Sequence, residues 1–143
     1  MTLLFPLVLV ALLGGRDLHW QTGPARRLAV GHYRYDIALK TAYAHDEDTD
    51  NTYFVVTRPN ARTPQCSALR RSVTRQGAVQ TTGEYATDGD RLLFKQRYLT
   101  PRRIRQWVFP DSSVTTFSPD RTGRLCLRGV RNFSDGKATD VTY

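Results

Sequence analysis

Between Tyr33 and Tyr43 the side chains alternate with a period of two. Tyr33, Tyr35, Ile37, Leu39, Thr41 and Tyr43 fall on one parity, and Arg34, Asp36, Ala38, Lys40 and Ala42 on the other. A helix returns to the same face every 3.6 residues and cannot sort such a series, whereas a pleated strand sorts it without further help. The stretch is predicted as a long strand with one wet face. A polar, acidic break from His45 to Asn51 follows, then the β-rich run Tyr53 to Thr57, so the two runs read as a hairpin.

Turn signals recur at intervals of about ten residues: Pro59-Asn60, Gln76-Gly77, Asp88-Gly89-Asp90, Thr100-Pro101, Pro110-Asp111, Pro119 to Gly123 and Ser134-Asp135-Gly136. Six further strands are expected between them, at Ala78 to Thr87, Arg91 to Leu99, Ile104 to Phe109, Ser113 to Ser118, Arg124 to Val130 and Lys137 to Tyr143. Connections this short suit antiparallel neighbours, because a parallel pair needs a crossover of a dozen residues or more. The expected fold class is all-β: an antiparallel meander of about eight strands. Its unpaired edges are best removed by closing, or nearly closing, into an up-and-down barrel. Leu92, Phe94 and Tyr98 would face inward with Ile37, Leu39 and Val55. Only Ser67 to Arg75, inside the long Arg58 to Arg75 connection, suits a turn or two of helix.

One hairpin carries a family likeness. Gly83-Glu84-Tyr85 followed by Gly89-Asp90-Arg91-Leu92-Leu93-Phe94 resembles a hairpin of small secreted bacterial lipocalin-like domains, and Gly31-His32-Tyr33 is similar to the entry of that barrel. The resemblance covers about a third of the chain. It implies a calycin-type barrel with an internal cavity. The long Arg58 to Arg75 connection departs from that pattern.

The first fifteen residues contain an apolar run from Leu3 to Leu13 and no charge. Eleven residues are too few for a membrane span, which takes about 20, and match a secretory h-region. Residues 1–15 are therefore read as a signal peptide, 16–30 as a poorly structured segment, and 31–143 as one β-barrel domain. The expected location is secreted or periplasmic, with no stable membrane insertion once the signal is removed. In such a compartment the two cysteines, Cys66 and Cys126, are expected to form a structural disulfide. Cys126 lies opposite Leu125 and Leu127 in parity and should point outward, so the bridge would tie the Pro59 to Arg75 connection across the outside.

The formal net charge is +8, carried by 18 Arg and only 3 Lys. Such a surface attracts anions over about a Debye length. One acid-free stretch holds Arg58, Arg62, Arg70, Arg71 and Arg75, and another holds Arg97, Arg102, Arg103 and Arg105; together they could make one basic face. The candidate anion site is Arg97, Arg103, Arg105 and Trp107, where guanidinium forks beside an indole suit sulfate, phosphate, carboxylate or a sugar acid.

Catalysis finds little support. His19, His32 and His45 stand in no metal-ligand spacing, and there is no GxSxG or phosphate-binding glycine loop. Pairing Asp36 with Glu84 across strands would be arbitrary. Asp46, Asp48 and Asp50 resemble the start of a calcium loop, but Asn51 and Thr57 stand where its Gly and Glu are required. No metal, cofactor or nucleic acid is expected. The reading is a non-catalytic binding protein that takes a small apolar molecule inside the barrel or an anionic partner on the Arg-rich face. Its alternatives are an inhibitor or immunity-type module acting on an exported enzyme and, less favoured, an outer-membrane barrel.

Overall fold

The computed structural model describes residues 18–24, 27–99, 111–134 and 137–142 in full, and 103–104 and 107–108 by their backbone. Every described element is β. In chain order they are β1 (Leu28–Val30), β2 (Tyr33–Ala44), β3 (Thr49–Thr57), β4 (Pro64–Thr74), β5 (Val79–Asp88), β6 (Arg91–Tyr98), β7 (Arg103–Ile104), β8 (Trp107–Val108), β9 (Ser112–Pro119), β10 (Leu125–Ser134) and β11 (Lys137–Thr142). Nine of them form one antiparallel meander, β1-β2-β3-β4-β5-β6-β9-β10-β11, while β7 and β8 make a separate two-stranded hairpin between β6 and β9. The sheet is not closed; β1 and β11 are its edges.

The meander nevertheless wraps around one core. Tyr35, Phe54, Val56, Leu92, Phe94 and Val30 are at most 2% exposed. Phe54 meets Tyr85 edge-on at 5.2 Å between ring centres, and Phe94 meets Phe117 in the same way at 5.9 Å. Such contacts contribute beyond simple area burial. In β3 the core positions are Phe54 and Val56; Val55, expected inside, is only half-buried, and Leu39 is 41% exposed. The β2–β3 register explains this, because Ile37 pairs with Val56 and Leu39 with Phe54. Leu39 lies where β2 begins to run out past the core, and Ala38 to Ala42 are all exposed.

Two expectations about connections are corrected. The Arg58 to Arg75 segment contains no helical turn; most of it is β4, paired with β3 over its length. Two register shifts in that pairing, at Thr52/Tyr53 and Val56/Thr57, absorb extra residues and blur the alternation that would have marked a strand. The expected strand from Ile104 to Phe109 is replaced by the short β7–β8 pair. Residues 16–30, expected to be poorly structured, include β1, with Leu28 and Val30 buried in the core. They also include Gln21, which exchanges backbone hydrogen bonds with Tyr85 of β5 at 2.7 and 3.0 Å. Residues 1–17 lie outside the described residues.

The N-terminal contact fills a gap that the sheet itself creates. β4 pairs with β5 only from Arg71 to Val73, and the strands then diverge. At the point of divergence they nearly touch: a Cβ on Gly83 would lie 1.9 Å from the Leu69 carbonyl oxygen. Gly83 is thus required by a close approach of two backbones, which no side-chain rotation can relieve. Beyond it, Gln21 takes up the ladder of β5, and Arg70 donates through Nε to the Thr22 carbonyl.

Contacts between residues 88 apart in sequence hold the bent meander closed. Tyr33 and Tyr35 donate their hydroxyls to the carbonyls of Arg121 (2.6 Å) and Gly123 (2.5 Å) in the β9–β10 turn. The Arg58 guanidinium lies 5.2 and 5.6 Å from the two ring centres and donates to the Thr122 carbonyl at 3.3 Å. Cation–π contact and hydrogen bonding thus act from one side chain. Asp120 shapes the turn from within, accepting from the Thr122 hydroxyl (2.7 Å), the Thr122 N–H (2.8 Å) and the Arg124 N–H (3.0 Å). These bonds hold its carboxyl below the usual range. Nearby, the Leu125 N–H donates to the Gln65 side chain at 3.1 Å, joining β10 to the start of β4.

Two substitutions test this account. Gly83→Ala is expected to destabilise the fold by about 1–3 kcal/mol, read as a lower urea midpoint; an unchanged midpoint would mean that β4 and β5 separate freely there. Tyr35→Phe leaves the buried Gly123 carbonyl without its donor and should cost about 1–3 kcal/mol. Its amide-exchange signature should be concentrated at Asp120 to Leu125.

Candidate anion-binding face

The meander's register brings the two arginine-rich stretches together. Arg71 of β4 pairs with Thr82 of β5, Thr82 with Arg97 of β6, and Arg97 with Ser112 of β9. On the other side Arg71 pairs with Thr52, and Thr52 with Thr41, whose hydroxyls lie 3.1 Å apart. Directly paired residues share a face, so Thr41, Thr52, Arg71, Thr82, Arg97 and Ser112 form one cross-strand row. Arg71 and Arg97 are exposed and flank Thr82, with backbones roughly 10 Å apart across two strand spacings.

Most other arginines near strands are already engaged. Arg91 pairs with Asp88 at 2.7 Å, Arg131 holds Asp140 through two bonds of 2.7 and 2.9 Å, and Arg75 meets Asp48 at 3.1 Å. Arg128 donates to the Ser118 hydroxyl at 2.6 Å. Among the described residues no acidic side chain pairs with Arg71 or Arg97. The row therefore presents two free guanidinium forks around hydroxyl groups, a donor set that fits an oxyanion.

The sequence-predicted site residues are placed unevenly. Arg97 is in the row. Arg103 lies in β7 opposite Val108, Trp107 lies in β8 opposite Ile104, and Arg105 lies outside the described residues. The insertion carrying β7 and β8 is pinned at its base, where the Tyr98 N–H donates to the Asp111 carbonyl at 2.9 Å. That base adjoins the Arg97–Ser112 pair at the end of the row. Arg71 was legible in the sequence only as part of an arginine-rich stretch; its match to Arg97 depends on the bulged β3–β4 and β4–β5 registers.

Other candidate groups are not assembled into sites. Asp36 faces Thr57 and Glu84 faces Lys95, so that carboxylate pair does not form across strands. Asp48 is tied to the Tyr43 hydroxyl and to Arg75. His45 packs edge-on against Tyr43 at 4.7 Å. Among the described residues no group of three His, Cys, Asp or Glu side chains is arranged to hold a metal ion. Sequence reasoning also missed a buried polar band, Asn51, Ser72 and Thr81, joined by register, with Thr49 beside it. Thr49 Oγ1 and Asn51 Oδ1 are buried there without a hydrogen-bond partner among the described residues. Among the described residues two recesses stand out at the surface. One, of about 560 Å³, is lined by Arg27, Arg34, Asp36 and Asn60 near the end of β1; the other, of about 360 Å³, lies between Leu18–Trp20 and β6, β9, β10 and β11.

The expected disulfide is absent; Cys66 and Cys126 are both free. Because the segment around Cys66 is a strand of the sheet and not a strap over it, Cys66 turns inward. It pairs with Val56 and packs against the core. Cys126 follows the buried Leu125 on the opposite parity, and its Sγ lies 3.5 Å from the Arg124 carbonyl and 4.0 Å from Asp120. One thiol faces the core and the other faces away from it. Burial pushes the Cys66 thiol up to about 12, so at pH 8 its thiolate fraction is on the order of one in ten thousand. Iodoacetamide is accordingly expected to spare Cys66 in the native protein and to modify it after unfolding, with no mass change on prior reduction. Rapid native labelling of Cys66 would contradict its placement.

Compared with protein-family models, curated proteins and solved structures, the chain finds no match.

Proposed function

We propose that the protein is an exported, non-catalytic β-barrel-like binding protein that holds an anionic partner on the Arg71–Thr82–Arg97 row. The observation that carries this reading is the pairing of two exposed, unneutralised guanidinium groups around a hydroxyl on adjacent strands. Their backbones belong to a continuous sheet, so the spacing of the two arginines is set before a ligand arrives, and the ordering cost on binding is that of the two side chains alone. The packed interior favours the same surface. Tyr35, Phe54 and Phe94 occupy the volume in which a barrel would otherwise hold a small apolar ligand. Export rests on the Leu3 to Leu13 run, whose length suits a secretory signal.

The test separates this row from the protein's overall charge. Affinity for heparin, used as a polyanionic probe, is compared between Arg71→Ala/Arg97→Ala and Arg62→Ala/Arg121→Ala, two variants that lose the same charge. The row variant is expected to bind at least about tenfold more weakly than the control, from the loss of charge-assisted hydrogen bonds. Equal losses would reduce the effect to net charge and overturn the assignment.

A further inference from the structure

β2 is far longer than the strand that covers its outer side. β1 pairs with it only at Tyr33, Arg34 and Tyr35, and among the described residues that edge has no strand partner from Asp36 to Ala44. Side chains on both faces are exposed from Ala38 to Ala42. The pairing of β2 with β3 is regular throughout, without a bulge, and Ile37 to Ala44 contains no proline and a single charge, Lys40. Edges are ordinarily blunted by such devices. This one is left as a regular template of backbone groups without a strand partner among the described residues.

The ends of that edge carry opposite charge. At the far end, the β2–β3 turn is held rigid: Asp48, at φ 52, accepts the Tyr43 hydroxyl and pairs with Arg75, whose guanidinium lies 4.5 Å from the Tyr43 ring centre. Asp46 and Glu47 remain exposed at the tip, with no ion pair among the described residues. At the near end, where β1 stops, lies the 560 Å³ recess with Arg27 and Arg34 against one carboxylate, Asp36.

We infer that the free edge of β2 pairs antiparallel with the same edge of a second copy of this chain. Two-fold symmetry in a continuous sheet requires a residue to face itself, because directly opposed side chains lie on the same face. Centring on Lys40 would set two ammonium groups together. Centring on Thr41 avoids this, placing Lys40 opposite Ala42, and the exposed Leu39 opposite Tyr43. In that register Ala44 of one copy faces Ala38 of the other, and the turn that reverses the chain at residues 45–48 ends about level with Asp36, where the cover of β1 begins. The acidic tip of each copy then comes to the recess of its mate, where Arg27 and Arg34 outnumber that one carboxylate, and the contact forms twice.

Sedimentation velocity on the full chain tests the inference, across concentrations, for the unaltered protein, Glu47→Arg, Arg34→Glu and the double variant. A concentration-dependent dimer is expected, each single reversal weakening it by about tenfold or more and the double reversal restoring it. Amide-exchange protection at Ala38 to Ala44 should rise with concentration. A monomer at all concentrations up to on the order of 100 µM would overturn the inference. So would a dimer indifferent to the single reversals, or one without protection in β2; association through the apolar Leu3 to Leu13 run would behave in this last way.

Discussion

The hydrogen bond from the Tyr35 hydroxyl to the Gly123 carbonyl is the contact on which the shape of this molecule depends. The ladders between named strands join only neighbours along the meander, and such pairing specifies a ribbon, not a wrap; outside them, backbone bonds at Gln21–Tyr85 and Gly31–Gly89 draw the start of the chain onto β5 and its turn. A ribbon of nine twisted strands exposes the apolar face of each half unless something sets the two halves against each other. Tyr33, Tyr35 and Arg58 do so by gripping one turn, and their grip depends on Gly123. Gly123 adopts φ +85, and a Cβ there would lie 1.7 Å from the Arg58 guanidinium and 2.6 Å from the Tyr33 ring. The aromatic core of β2, β3 and β6 is sealed as a consequence.

Much of this fold is legible in the residues, and the illegible parts share a cause. The alternation from Tyr33 to Tyr43 and the Asp88-Gly89-Asp90 turn are local signals, and β2 and the β5–β6 hairpin follow them closely. β4 carries no such signal. Its half-buried positions fall on both parities, and its register is set by bulges that only its neighbours define. That single missed strand propagated into the misreading of the cysteines, since a strap places Cys66 outside and a strand places it against Val56. It also concealed Arg71, whose partner in the row lies two strands away. Arg97, by contrast, was readable from the parity it opposes to Leu92 and Phe94.

The two surface assignments meet at one residue. Thr41 is the end of the row that contains Arg71 and Arg97, and it is also the residue on which the β2 edges would be centred. Edge pairing would therefore join the two rows into one stripe across both copies, with four guanidinium groups presented on a continuous sheet. A partner bearing spaced negative charges could then engage both halves at once, and linked weak contacts of this kind gain affinity through effective concentration.

The meander also fixes an order of events in folding. Strands such as β2 and β3, or β5 and β6, can pair as soon as both are present, because little chain separates them. The grip on the β9–β10 turn has to wait for Gly123, 88 residues beyond Tyr35, and carries the entropy of closing that long loop. A nascent chain can thus set its first strands against β5 through Gln21–Tyr85 and Gly31–Gly89, but cannot close the grip of Tyr33, Tyr35 and Arg58 until the β9–β10 turn emerges. During that interval the face of Tyr35, Phe54 and Tyr85 is open to solvent and to other chains, so the period of greatest exposure to misassembly is set by the distance along the chain between a tyrosine and a glycine.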